Sequence, residues 1–208
     1  MAKKNKIKEF KPTKWLYVVI FMFPLILTLI YNNKLDNDIW YLLAEGRYIV
    51  QHGLYHIDPL TFHEGLQITV QNWVSASGLW LTYKAFGEIG ILFIVLLCNF
   101  FISLLVYKIS KLISDNNRVL ALMITFVCNV TLTSHYMVSR PQVLSYVVLL
   151  SVIYVLELYI KSGNWKYLIW LPILSLIQVN MHASLWWMIF LFALPYVIDS
   201  FKIHFFTI

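Results

Sequence analysis

Three stretches of this chain, 15–33, 89–107 and 119–139, contain no Lys, Arg, Asp or Glu. An uncharged apolar run of ~18 or more residues is long enough for a helix rising ~1.5 Å per residue to cross a ~30 Å hydrocarbon core. A fourth run, 141–160, is broken only by Glu157 near its end, and a fifth, 167–198, is too long for one span. The centre of that fifth run reads Gln178-Val179-Asn180-Met181-His182-Ala183-Ser184, which predicts two short helices turning there, one carrying Pro172 and the other Pro195. Membrane helices tolerate such prolines where neighbours or water satisfy the freed carbonyls. The composition agrees: 60% of residues are hydrophobic and 12% charged, against roughly 25% charged in a soluble domain. The expected fold class is therefore an all-α integral membrane protein of five to six transmembrane helices. Cys98 and Cys128 fall inside the spans and read as small apolar core residues.

A basic start followed by an apolar run is also how a secretory signal peptide begins. Here the run ends Leu-Thr-Leu-Ile-Tyr-Asn-Asn without a small-x-small cleavage site, so the first span is expected to stay uncleaved.

Lys and Arg set the expected orientation, because they accumulate on the cytoplasmic side. Lys3, Lys4, Lys6, Lys8, Lys11 and Lys14 precede the first span. With the N-terminus in the cytoplasm, Lys108, Lys111, Arg118, Lys161, Lys166 and Lys202 also fall inside, leaving only Lys34, Arg47, Lys84 and Arg140 outside. Six of the ten acids fall outside: Asp36, Asp38, Glu45, Asp58, Glu64 and Glu88. The net charge of +6 then reflects topology and contact with anionic inner-leaflet lipid rather than nucleic acid. The expected organisation is a basic cytoplasmic N-terminus (1–14), a first transmembrane helix (15–31), a large extracytoplasmic loop (32–88), a helical bundle (89–201) and a cytoplasmic tail (202–208). The expected location is the cell membrane, crossed several times.

The long first loop is rich in Trp, Tyr, Leu and Ile. Residues 39–52 set Ile39, Leu42, Leu43, Tyr48, Ile49 and Val50 among Glu45, Arg47 and Gln51, the pattern of an amphipathic helix lying on the membrane surface, with Gly53 as its stop. Residues 66–70 alternate as a short strand would. Residues 72–86 read as a second surface-lying helix ended by Gly87.

This topology gathers polar side chains on one face. Asp36, Asp38, His52, His56, Asp58, His63 and Glu64 lie in the outer loop, while His135, Arg140 and Gln142 lie at one outer turn and Asn180 and His182 at another. Polar groups near apolar surroundings are costly without partners, which makes them candidate functional groups. Asp36 and Asp38 form a pair that could hold a cation or act as base and orienting partner, or stand as a solvated loop start. Arg140, just before Pro141, could grip a phosphate bidentately or snorkel to headgroups. His182 fits a lipid phosphate or substrate hydroxyl as well as it fits a polar helix cap. The spacing of His52, His56 and His63 across Gly53 argues against zinc. No Walker loop, dinucleotide fingerprint, G-x-S-x-G or HExxH occurs. No charged residue lies mid-membrane, as a transporter's coupling site needs.

The outer-loop text DNDIWYLLAEGRYIVQHGLYHIDPLTF resembles the first outer loop of bacterial polytopic proteins related to C-type glycosyltransferases, which use polyprenyl-phosphate sugars. The matching residues are Asp36, Asp38, Trp40, Gly46, Arg47, Ile49, Gly53, Asp58, Pro59, Thr61 and Phe62. SRPQVLSY (Arg140, Pro141, Gln142, Ser145, Tyr146) and VNMHAS (Asn180, His182) are similar to two later family segments, so the likeness runs over roughly residues 34–190. The chain departs from the family where relatives carry His-Glu-Trp and it has Gln71-Asn72-Trp73. The resemblance implies an inverting glycosyltransferase taking a sugar from a polyprenyl-phosphate donor on the extracytoplasmic face. Asp36 or Asp38 would be the base. Arg140, Gln142, Asn180, His182, Arg47 and Asp58 would bind lipid phosphate or substrate, and a divalent cation at Asp36 and Asp38 is compatible with the family. Relatives have more spans, so a truncated protein, or one whose bundle a second polypeptide completes, is the expectation. The alternative is a non-catalytic membrane protein: a transferase remnant, an assembly subunit or a lipid-binding protein.

Overall fold

The computed structural model describes residues 11–31 and 35–206, with the side chains of 201–206 left out of the account; Lys3, Lys4, Lys6, Lys8 and Lys34 lie outside the described residues. Among the described residues there are seven α-helices: α1 (Lys14–Tyr31), α2 (Asp38–His52), α3 (Trp73–Ile113), α4 (Arg118–His135), α5 (Pro141–Ser162), α6 (Trp170–His182) and α7 (Met188–Phe206). Short 3-10 turns, Trp165–Ile169 and Ala183–Leu185, flank α6. Among the described residues, five helical stretches are long and apolar enough to cross a membrane: Lys14–Tyr31, Trp73–Ile113, Arg118–His135, Pro141–Ser162 and Trp165–Leu185. Met188–Ser200 is a shorter apolar helix.

One expected element is absent. Residues 66–70 form no strand; an isolated antiparallel bridge joins Ile57 to Gln67, and the backbone bonds Asp58 N–H to Leu66 O and Ile68 N–H to His56 O close a narrow loop. α7 continues through Phe206, into the expected 202–208 tail. The expected helix 72–86 does end at Gly87, whose non-helical φ 63°, ψ −151° sets a kink; a second helical segment follows at once, and the two together are labelled α3.

α3 is the hub, packing on α1, α2, α4, α5 and α6. Its first half and α2 bury a cluster of Ile39, Leu42, Leu43, Ala76, Leu79 and Ile91. Complete burial of such aliphatic side chains stabilises by ~1.5–3 kcal/mol each. Gly46 makes the approach possible, since a Cβ there would lie 2.0 Å from the Ala76 carbonyl oxygen.

Deeper in the bundle a polar seam joins α1, α3 and α4. The Asn99 amide donates to the Pro24 carbonyl (3.2 Å), Thr28 Oγ1 (2.6 Å) and Thr133 Oγ1 (3.3 Å), and Ser103 Oγ donates to Asn129 Oδ1 (3.0 Å). Small and polar side chains are what hold membrane helices together, because lipid gives no hydrophobic drive between them. Cys98 is buried and Cys128 partly so, both free.

Candidate functional site

The polar residues converge where the turn between α4 and α5 meets the entry to α2. Arg140 precedes Pro141, whose ring keeps it extended at φ −127°, ψ 158°. From there its guanidinium meets both aspartates. Arg140 Nε lies 3.1 Å from Asp36 Oδ1, at an angle poor for a hydrogen bond, and Nη2 lies 3.2 Å from Asp36 Oδ2 and 3.1 Å from Asp38 Oδ2. Asp36 is further fixed by its backbone N–H, which donates to Ser139 Oγ (2.8 Å), and by the Asp38 backbone N–H, which donates to its Oδ1 (3.1 Å).

The two carboxylates are not equivalent. The Asp36 side chain is 23% exposed and has both oxygens turned to Arg140. Burial works to raise its pKa, but the Asp38 backbone N–H and the Arg140 guanidinium outweigh it and hold the carboxyl below its ordinary value. The Asp36 hydrogen bond in turn strengthens the charge on Arg140, whose pKa is raised against the opposing effect of burial. The Asp38 side chain is 63% exposed and meets Arg140 through Oδ2 alone. Ion pairs this solvated contribute ~0–1 kcal/mol to stability, so their effect is chiefly to place the groups.

Asp38, Tyr41, Asn72, Arg140, Gln142 and His182 line a cleft of about 330 Å³. Gln142 Oε1 is buried beside it with no partner among the described residues. His182 is held at both ring nitrogens, Nδ1 by Ser145 Oγ (3.2 Å) and Nε2 by Ser184 Oγ (2.9 Å). The Gln178 amide donates to Ser145 Oγ (3.0 Å) and to the His182 carbonyl (3.1 Å). The turn carrying His182 is tied to the start of α3: Ala183 N–H donates to Gln71 O (3.1 Å), Ser75 Oγ to Met181 O (2.6 Å) and Trp73 Nε1 to Asn180 Oδ1 (2.8 Å).

Of the residues expected at a site, Asp36, Asp38, Arg140, Gln142 and His182 come together. Three do not join them. Asn180 is a helix-to-helix tie through Trp73. Arg47 lies over the Trp80 ring, 5.9 Å from its centroid, on the other flank of α2. Asp58 accepts from Leu60 N–H (2.9 Å) in its own loop, and its charge reaches the cleft only through its influence on Tyr41. A divalent cation does not fit at Asp36 and Asp38, because a guanidinium stands between the two carboxylates. No group of three or more His, Cys, Asp or Glu gathers among the described residues.

Sequence reasoning missed Glu45, placed above on the polar face of α2. It is 3% exposed, accepting from Tyr55 Oη and Asn72 Nδ2, each at 3.4 Å. Burial raises its pKa, the Tyr55 bond opposes this, and the Asp58 charge adds to it. The signal was present: Glu45 stands three residues after Leu42 and four before Ile49, on the inward stripe of the helix. Tyr41, Ser139 and Gln178 carried no local signal.

Comparison of the chain with protein-family models, curated proteins and solved structures finds no match.

Proposed function

We propose that this chain is a membrane glycosyltransferase of the C-type, taking a sugar from a polyprenyl-phosphate donor at the end of the bundle where the cleft opens. The observation that carries this reading is the Asp36–Arg140–Asp38 cluster at the rim of that cleft, beside an apolar bundle able to hold the lipid. In the proposed step an acceptor hydroxyl oxygen bonds to the anomeric carbon from the face opposite the phosphate. The bond from that carbon to the phosphate oxygen breaks, and polyprenyl phosphate leaves with the electron pair. Asp38 receives the hydroxyl proton, because it is the exposed carboxylate with an oxygen not engaged by Arg140. Asp36 stays ionised and aims the guanidinium, which offsets the charge growing on the phosphate. His182 contributes through Nε2, whose exposed Ser184 partner a substrate oxygen can replace. By the distribution of Lys and Arg this end is extracytoplasmic.

The second reading, a non-catalytic membrane protein, draws on the same contacts: Arg140 holds Asp36 through two nitrogens and so clamps the segment before α2 to α5. Transfer from a polyprenyl-phosphate sugar by reconstituted protein separates the two. Asp38→Asn should lower the rate at least ~100-fold, the scale of a lost general base, with less effect from Asp36→Asn. Transfer undiminished in both variants, or absent from the unaltered chain, leaves the second reading standing.

A further inference from the structure

On the flank of α2 away from the cleft, a groove of about 450 Å³ runs between α2, the first half of α3 and the loop at Leu60. Trp40, Ala44, Arg47 and Gln51 follow one another at intervals of four, three and four residues, which puts them on one stripe of α2. Opposite them Trp80 and Tyr83 lie at 30° to each other with centroids 6.2 Å apart, forming a floor. Trp40 stands against Tyr83 at 86° with centroids 5.9 Å apart, forming a wall. Ala44 is too small to fill the space between. Arg47 extends over Trp80 and has no carboxylate partner among the described residues, so its donors remain available to a ligand.

We propose that this groove binds an anionic saccharide. The face of an aromatic ring carries negative charge and attracts the polarised C–H groups along one side of a pyranose, so the exposed Trp40 ring, set at right angles to Tyr83, suits a sugar ring beside the Arg47-capped Trp80. Gln51 supplies both a donor and an acceptor for hydroxyls, and Arg47 supplies a planar cation for a carboxylate or phosphate. The volume is in the range of small-ligand sites. Isolated interfacial aromatics would give a belt at headgroup level. Here rings from two helices converge on one depression with a guanidinium at its edge. α2 is the wall common to this groove and to the cleft at Asp38. Assignment of the groove to the acceptor therefore rests on the transferase reading, whereas saccharide binding itself does not.

The test is a titration of the detergent-solubilised full chain, followed by tryptophan fluorescence, without any lipid-linked donor. The probes are trigalacturonate, maltotriose and the soluble anionic lipid dihexanoyl phosphatidylglycerol. Trigalacturonate should bind more tightly than either of the others. Trp40→Ala should weaken it by several-fold to about tenfold, the scale of one aromatic contact, with Trp40→Phe retaining most of the affinity. Arg47→Gln should remove the preference for the anionic sugar. Trp40 and Arg47 are both exposed, so these variants are expected to fold. Absence of trigalacturonate binding, equal binding in Trp40→Ala, or tighter binding of the lipid would overturn the proposal. Saccharide binding that persists in a chain showing no transfer would refute the transferase and leave the groove.

Discussion

Replacing Gly46 with alanine tests the packing on which the site depends. The added Cβ would lie 2.0 Å from the Ala76 carbonyl oxygen, 2.5 Å from its carbon and 2.9 Å from Trp80 Cβ. A carbon and a carbonyl oxygen settle at ~3.3 Å or more, so α2 must move off α3 by about 1 Å. Two of the obstructing atoms are backbone, and no rotamer change relieves them. Overpacking of this kind costs ~1–3 kcal/mol, partly offset by the ~1 kcal/mol gained when a helical glycine becomes alanine. Gly78, also helical in α3, has nothing within 4 Å of its ideal Cβ, so Gly78→Ala takes the same gain without the clash. The difference between the two variants isolates the collision and should be about 1–3 kcal/mol. Melting of the purified proteins in one detergent, followed by tryptophan fluorescence, should rank Gly78→Ala above the unaltered chain and that above Gly46→Ala. A Gly46→Ala protein that melts with Gly78→Ala would refute the α2–α3 contact.

Two further outcomes follow from the packing and the charges. Asn99→Ala removes the two N–H donors that three interhelical acceptors share, and at ~0.6 kcal/mol for each such bond in a membrane it should cost about 1 kcal/mol, read as a lower midpoint in denaturation from mixed micelles. The folded-state pKa of Glu45 is raised above its ordinary 4.5, so its contribution to stability is complete below that pH and is lost as pH rises through the raised value. The melting temperature relative to Glu45→Gln should therefore fall as pH climbs from about 4.5, and a parallel pH profile in the two proteins would contradict the burial of this carboxyl.

The long apolar helices were legible because an uncharged apolar run of ~18 or more residues is itself the signature of a helix of membrane-crossing length. The runs 15–33, 119–139 and 141–160 correspond closely to α1, α4 and α5, and the polar interruption at 178–184 is where α6 gives way to α7. Gly53 and Gly87 were each readable as the end of a helix, because both positions take positive φ, at 86° and 63°. The strand at 66–70 misled because alternation over five residues weighs little against a loop with a single bridged pair and no sheet to join. At the site, residue types were readable and partners were not. Arg140 meets Asp36 from 104 positions away, Gln178 meets Ser145 from 33, and no local pattern encodes either. Nor does any local pattern show that Arg140 is held by the carboxylates of both Asp36 and Asp38.

Gly87 breaks α3 with backbone angles that are essentially glycine's own, between the part that carries α2 and the part that descends through the bundle. Its ideal Cβ position faces open space, so this joint is not wedged by neighbouring side chains. A bilayer thicker or thinner than the spans prefer asks helices to lean. A lean at Gly87 would also have to carry Ile91, which is buried against α2 from beyond the kink, and the bonds of Trp73 and Ser75 to Asn180 and Met181, so the joint and those contacts would shift together.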